Sequence, residues 1–365
     1  MRSRPVRWAV FAVVMLAAAA GGCSHIGYYW QATQGQLALQ RAARPIEQVL
    51  ADPAAEARVK TKLEAAQRIR AFAVSELGLP DNKSYTAYAD LKRSAVLWNV
   101  VAAPELSLQP KQWCFPVAGC VSYKGWFSKV AADEEAAALR AQGYDVHVGE
   151  VPAYSTLGWF DDPLLNTFIN YPEGEIARLV FHELAHQLLY VKGDSAFNES
   201  FATAVEEFGV ELWLKAHGSE ELRRQYEVFG QRKQGFRALL ARFRGLLEQA
   251  YQSGADEEKR ARKVALFRQL RDEYDIMKRD QWNGFAGYDR WFAQPLSNAH
   301  LAAVGTYTQW LPAFRALLMR EGNDIRKFYA AAQTLADLPA AQRETLLIAL
   351  APQAAPPKRK TNRAE

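Results

Sequence analysis

Cysteine is scarce in this 365-residue chain, with only Cys23, Cys114 and Cys120. A zinc knuckle at the close pair Cys114/Cys120 would need further ligands nearby, and none is present. No internal repeat can be found. Beyond the first residues, no apolar run approaches the roughly 20 residues needed to cross a bilayer as a helix. Excess charge of one sign is also missing. The first 22 residues carry three arginines and no acid, so without them the formal charge drops from +5 to about +2. A nucleic-acid-binding reading does not survive that subtraction.

The N-terminal text, MRSRPVRWAVFAVVMLAAAAGGC, has basic residues, then an apolar run, then small residues. These are the three parts of an export signal. Ala20-Gly21-Gly22-Cys23 resembles a bacterial lipobox, with Ala20 where the pattern usually has leucine. The resemblance implies cleavage before Cys23 and lipid on its thiol, the alternative being an ordinary cleaved signal. Ser24 in the next position resembles lipoproteins sent to the outer membrane, so the expected location is a lipid anchor in the bacterial envelope facing the periplasm. In an exported protein the Cys114/Cys120 pair reads as a disulfide closing a small Pro/Gly loop, with two buried free thiols as the alternative.

Helical periodicity from Tyr28 to about Leu77 gives way after Pro80-Asp81-Asn82 to short Val- and aromatic-rich segments. Three strands are expected, in SAVLWNVVAAPELSL, VAGCVSYKGWF and YDVHVGEVPAYSTLGWF, with a helix between the second and third. After Pro172 the pattern is helical to about Leu350, and its Lys/Arg-rich stretches read as solvated faces of long helices. The expected class is α+β, predominantly α-helical, with a small antiparallel sheet packed on the helix that carries HELAH. The expected regions are a signal peptide at 1–22, a lipidated N-terminus and helical region at 23–85, a sheet subdomain with an active-site edge strand at 86–175, a helical metallopeptidase region at 176–350, and a disordered basic tail at 351–365.

HELAH sets His182 and His186 four residues apart, hence on one face of a helix, with Glu183 one position round. That spacing suits one zinc ion, with Glu183 able to reach a water beside it. A catalytic zinc needs a third protein ligand and one open position. Asp194, Glu199, Glu206 and Glu207 are the nearby carboxylates, and one in the first turn of a second helix starting near Ser195 or Asn198 would face the histidines. Such a turn requires the first helix to finish at Gly193-Asp194. His25, His147, His217 and His300 are scattered and read as surface or core residues.

HELAHQ and NESFATAVE, residues 198–206, resemble the HELAHQ and NEGFAxYxE segments of the M1-type gluzincin aminopeptidases. The resemblance implies that His182, His186 and Glu199 hold one Zn²⁺, that Glu183 is the general base, and that Glu206 orients an imidazole. The interval from His186 to Glu199 is shorter than in those enzymes. A broader resemblance, through GCSxxGYYxQAxxGQ, WCFPVAGCVSYKGWF and STLGWFDDP, is to a family of bacterial lipoproteins described as putative aminopeptidases. It implies a peptide substrate and a zincin-like fold. No GxMEN strand is present to hold a substrate's amino group, and YSTLGWFDDPLL stands in its place. There Asp161 or Asp162 could meet the amine, a plain Asp-Asp-Pro turn being the alternative. Tyr307 is the candidate to stabilise the transition state, with a packed helical tyrosine as the other reading. The leading expectation is an aminopeptidase; the alternatives are an endopeptidase or cell-wall amidase, or a non-catalytic envelope lipoprotein.

Overall fold

The computed structural model describes residues 27–115, 119–153, 155–156, 158, 160–304 and 309–351. Residues 27–42 form helix α1, which cannot run through Pro45, because proline lacks an N–H and pushes the residue before it into extended geometry. Ala43–Pro45 therefore form strand β1, where helical periodicity predicted no break, before α2 (Ile46–Ala51) and α3 (Ala57–Ser75).

The chain divides into two compact units, each built from three stretches. The first contains Met1–Glu64, Lys83–Tyr171 and Glu227–Gly305; the second contains Ala65–Asn82, Pro172–Tyr226 and Thr306–Glu365. The single helical region expected over 176–350 is thus shared between them. Among the described residues, no helix is long and apolar enough to cross a membrane.

In the first unit, β1 pairs antiparallel with β2 (Ala87–Ala89), which pairs in parallel with β8 (Leu164–Leu165). A second sheet has the order β6-β3-β7, from Lys124–Trp126, Leu97–Pro104 and Tyr144–Val151, and is antiparallel throughout. Helix α4 (Lys129–Ala141) lies between β6 and β7 in sequence, as expected, and Ser128 caps it by accepting from Ala131 N–H. Side chains alternate across a strand. Trp98, Val100 and Ala102 of β3 accordingly meet Ala132, Ala136 and Leu139 of α4, while Val101 and Ala103 meet Ala299 and Ala302 of α10 (Asn298–Val304). Both faces of the antiparallel sheet are thereby occupied, by α4 and by α10, and the chain has the expected α+β class, predominantly α-helical with small sheets. A hairpin of β4 (Trp113–Phe115) and β5 (Gly119–Val121) carries the Cys114–Cys120 disulfide. The long helices α7 (Glu220–Tyr251) and α8 (Asp256–Asp280) share a core of Leu240, Phe243, Leu247, Phe267, Leu270 and Tyr274.

The second unit is helical. Its centre is α5 (Glu173–Leu188) packed on α6 (Ser195–His217), with Phe72 of α3 against Phe181 and Trp213. Gly209 makes the close approach possible, since a Cβ there would lie 2.6 Å from Leu77 and 2.8 Å from Phe181. Helices α11 (Leu311–Arg320), α12 (Ile325–Ala336) and α13 (Ala340–Leu350) cover the other side of α6 through Phe314 and Phe328, which contact Phe197 and Phe201.

His147 of β7 and His300 of α10 lie ring to ring, 4.0 Å between centroids, and both are buried. Burial pushes His147 down to about 4 and His300 to about 2, the latter helped by the charges of His147 and Arg271. Unfolded histidine takes its proton near pH 6.5, so the stability these neutral rings contribute is complete above that value and is lost as pH falls. Between pH 7 and pH 5 each should cost the fold about 2 kcal/mol. Urea unfolding at the two pH values should show this loss, reduced in the His147→Phe, His300→Phe double variant.

Candidate metal centre

Pro172 precedes α5 and Glu173 and Glu175 occupy its first turn, where carboxylates favour the positive end of the helix dipole. The helix then places His182 and His186 one turn apart. It stops at Leu188, five residues before Gly193. Asn198 of α6 explains the early stop: its side chain accepts from Val191 N–H at 2.7 Å and donates to Val191 C=O at 2.8 Å. The connection is thereby pinned from both backbone groups. Asp194 starts α6 by accepting from Phe197 N–H.

The result brings Glu199 up against both imidazoles. His182 Nε2 and His186 Nε2 are 3.1 Å apart. Glu199 Oε2 is 3.4 Å from the first, and Glu199 Oε1 is 3.7 Å from the second. A tetrahedral ion bonded at about 2.0–2.1 Å holds its ligand atoms about 3.3 Å apart. The three separations bracket that edge length, so His182, His186 and Glu199 form a group that could hold a metal ion. The nitrogen and carboxylate donors suit zinc. Glu183 follows His182 on α5 and is partly exposed, whereas Leu184 and Ala185 are buried.

Charge around this group is arranged to receive a cation. Glu206, buried and seven residues beyond Glu199, places Oε2 2.9 Å from His182 Nδ1. The same oxygen accepts from Arg178 at 3.0 Å, and Arg178 also binds the buried Glu175 at 2.7 Å. Burial alone would lower the His182 pKa, but Glu199, Glu206 and Glu183 outweigh it and carry it to about 10. Burial and the charge on His182 push His186 down to about 4, which leaves a neutral imidazole of the kind that binds metal. Burial likewise opposes the Arg178 charge, and Glu206 with Glu175 more than restores it.

The other carboxylates have different partners. Asp194 pairs with the buried Arg343 of α13 at 2.9 Å, and Glu207 forms a two-pronged pair with Arg315 of α11. Asp162 is buried in its own loop, where its carboxylate accepts from Thr156 N–H and Oγ1, both at 2.9 Å, and from Ser155. Its C=O accepts from Tyr85 N–H. None of the described residues of 152–163 is in a strand, and pairing resumes at Leu164 and Leu165, the last two residues of YSTLGWFDDPLL, which form the edge strand β8. Asp161 is exposed. Tyr307 and Cys23 lie outside the described residues. The sequence reading missed Arg178, Glu175 and Asn198. Their signal was spacing: Glu175, Arg178 and His182 recur at three and four residues, one face of α5.

The match to known families adds to this geometry. A family model described as "Putative aminopeptidase" matches residues 27–347. The chain belongs to that family. The match takes in both units and every residue of the metal-binding group. No curated protein and no solved structure matches the chain.

The role of Arg178 and Glu206 can be tested by metal binding. Glu199→Ala should abolish tight zinc binding, whereas Glu206→Gln should weaken it about 10–100-fold by freeing the His182 ring. Competition with a chelator measures both. Arg178→Leu leaves Glu175 and Glu206 buried without their cation and should lower unfolding stability by about 3–5 kcal/mol.

Proposed function

We propose that this chain is a zinc-dependent aminopeptidase of the bacterial cell envelope, held to the membrane by lipid on Cys23. The observation that carries the reading is the convergence of His182, His186 and Glu199 beside Glu183, within a chain of the aminopeptidase family. Zinc held by these three side chains would polarise a peptide carbonyl and make water acidic enough to attack near neutral pH.

The chain's own residues have the remaining tasks. Glu183 takes the proton of the attacking water and delivers it to the departing amine. Glu206 and Arg178 keep the His182 ring in place. Tyr307 is proposed to donate a hydrogen bond to the carbonyl oxygen as negative charge develops there.

Two measurements test the reading. Zinc-loaded protein from Ser24 onward is incubated with one peptide set, with free and with acetylated amino termini, and products are read by mass spectrometry. Single residues should leave free termini only, and Glu183→Gln should slow this about 10²–10⁴-fold. Internal cuts in both sets would overturn the exopeptidase assignment. Separately, Cys23→Ser should move the full-length protein from the membrane to the soluble fraction of its host.

A further inference from the structure

The two outer edges of the β6-β3-β7 sheet are treated differently. On β6 the edge is covered: Gln31 of α1 donates to Gly125 C=O and accepts from Phe127 N–H, as a neighbouring strand would. Those bonds also fix the backbone directions. If residues 125 and 127 face outward, Lys124 and Trp126 face β3 and bond to Val100 and Trp98, their register partners. The alternate β3 residues, Asn99 and Val101, then face Gly149 and His147 of β7. Val146, Val148 and Glu150 must therefore turn their N–H and C=O groups away from the sheet. An independent contact agrees, for Val146 C=O accepts from the Arg140 guanidinium at 3.4 Å.

No strand pairs with this outer edge of β7 among the described residues. A groove of about 660 Å³ runs along it between α4 and the α9 (Asp289–Phe292) to α10 segment, and every consecutive residue from Val146 to Glu150 lines it. Because the groove follows an edge, it touches both faces of the sheet. Trp98 stands on the α4 side, and His147, His300 and Trp291 on the other. Trp98 Nε1 and His147 Nδ1 are buried without a hydrogen-bond partner, and His147 as a whole is only 8% exposed. Among the charged lining residues, Lys129 pairs with Asp133, Arg290 pairs with Glu150, and Arg140 is engaged by Val146 C=O.

We infer that the outer edge of β7 is a second peptide-binding site, which takes an extended segment of a polypeptide as an added strand. An unpaired strand edge offers alternating donors and acceptors that another backbone satisfies, and the flanking pockets accept alternate side chains. The charged side chains of the rim are each engaged within the protein, two as ion pairs and Arg140 at Val146 C=O, so the occupant is an interior stretch of chain. None of the groove's lining residues belongs to the metal-binding group, so this site is separate from the one proposed for hydrolysis.

The test uses mature protein from Ser24 onward carrying Glu183→Gln, so that binding is read without cleavage. The probe is a peptide of alternating threonine and valine with a central phenylalanine and a lysine at each end, acetylated and amidated. Saturable change in tryptophan fluorescence is expected, together with slowed amide exchange at Val148 and Glu150. Proline is tolerated on an edge strand where its missing N–H faces away from the ladder. Val148→Pro should thus weaken binding at least tenfold, while Val148→Ala should stay within about twofold. Methylating alternate peptide nitrogens should weaken it at least tenfold with no change in the protein. Absence of saturable binding, or equal affinity for the N-methylated probe, would overturn the inference, and neither result bears on hydrolysis at Glu183.

Discussion

Burial of carboxylates around two imidazoles is the constraint on which the second unit depends. Glu175 and Glu206 are almost wholly shielded from water, and Glu199 stands against both histidines. Such charges are tolerated inside a protein only when paired. Arg178 meets two of them, and the Nε2 edge of the histidines, opened toward Glu199, is where a further positive charge is wanted. The close packing of α5 on α6 serves this arrangement. Gly209 lets the helices approach, Asn198 fixes the connection between them, and the Phe197/Phe201 to Phe314/Phe328 cluster holds α6 from its far side.

Much of this was legible in the sequence because it follows from local periodicity. The four-residue spacing of His182 and His186, and the seven-residue spacing of Glu199 and Glu206, assign faces to helices with no knowledge of the fold. The three central strands and the helix between the second and third could be placed for the same reason. Long-range relations could not. That Asp194 belongs to Arg343, and Asp162 to Thr156, depends on which distant segments pack together. A break at Pro45 was written in the chain, but its conversion into a strand depends on Ala87–Ala89 offering a free edge. That α10 covers one face of the sheet, from nearly two hundred residues beyond β3, is a relation of the same kind.

The division of the molecule carries a further consequence, for synthesis. Neither unit is a continuous piece of chain; each is gathered from three separated stretches. The helices that buttress α6 follow it much later in the chain, and Arg343, which anchors Asp194 at the start of that helix, lies on α13. A chain emerging from its N-terminus would present both histidines and Glu199 long before the supports that hold them exist. The group formed by His182, His186 and Glu199 is thus fully braced only once α11, α12 and α13 have been made and have packed against α6.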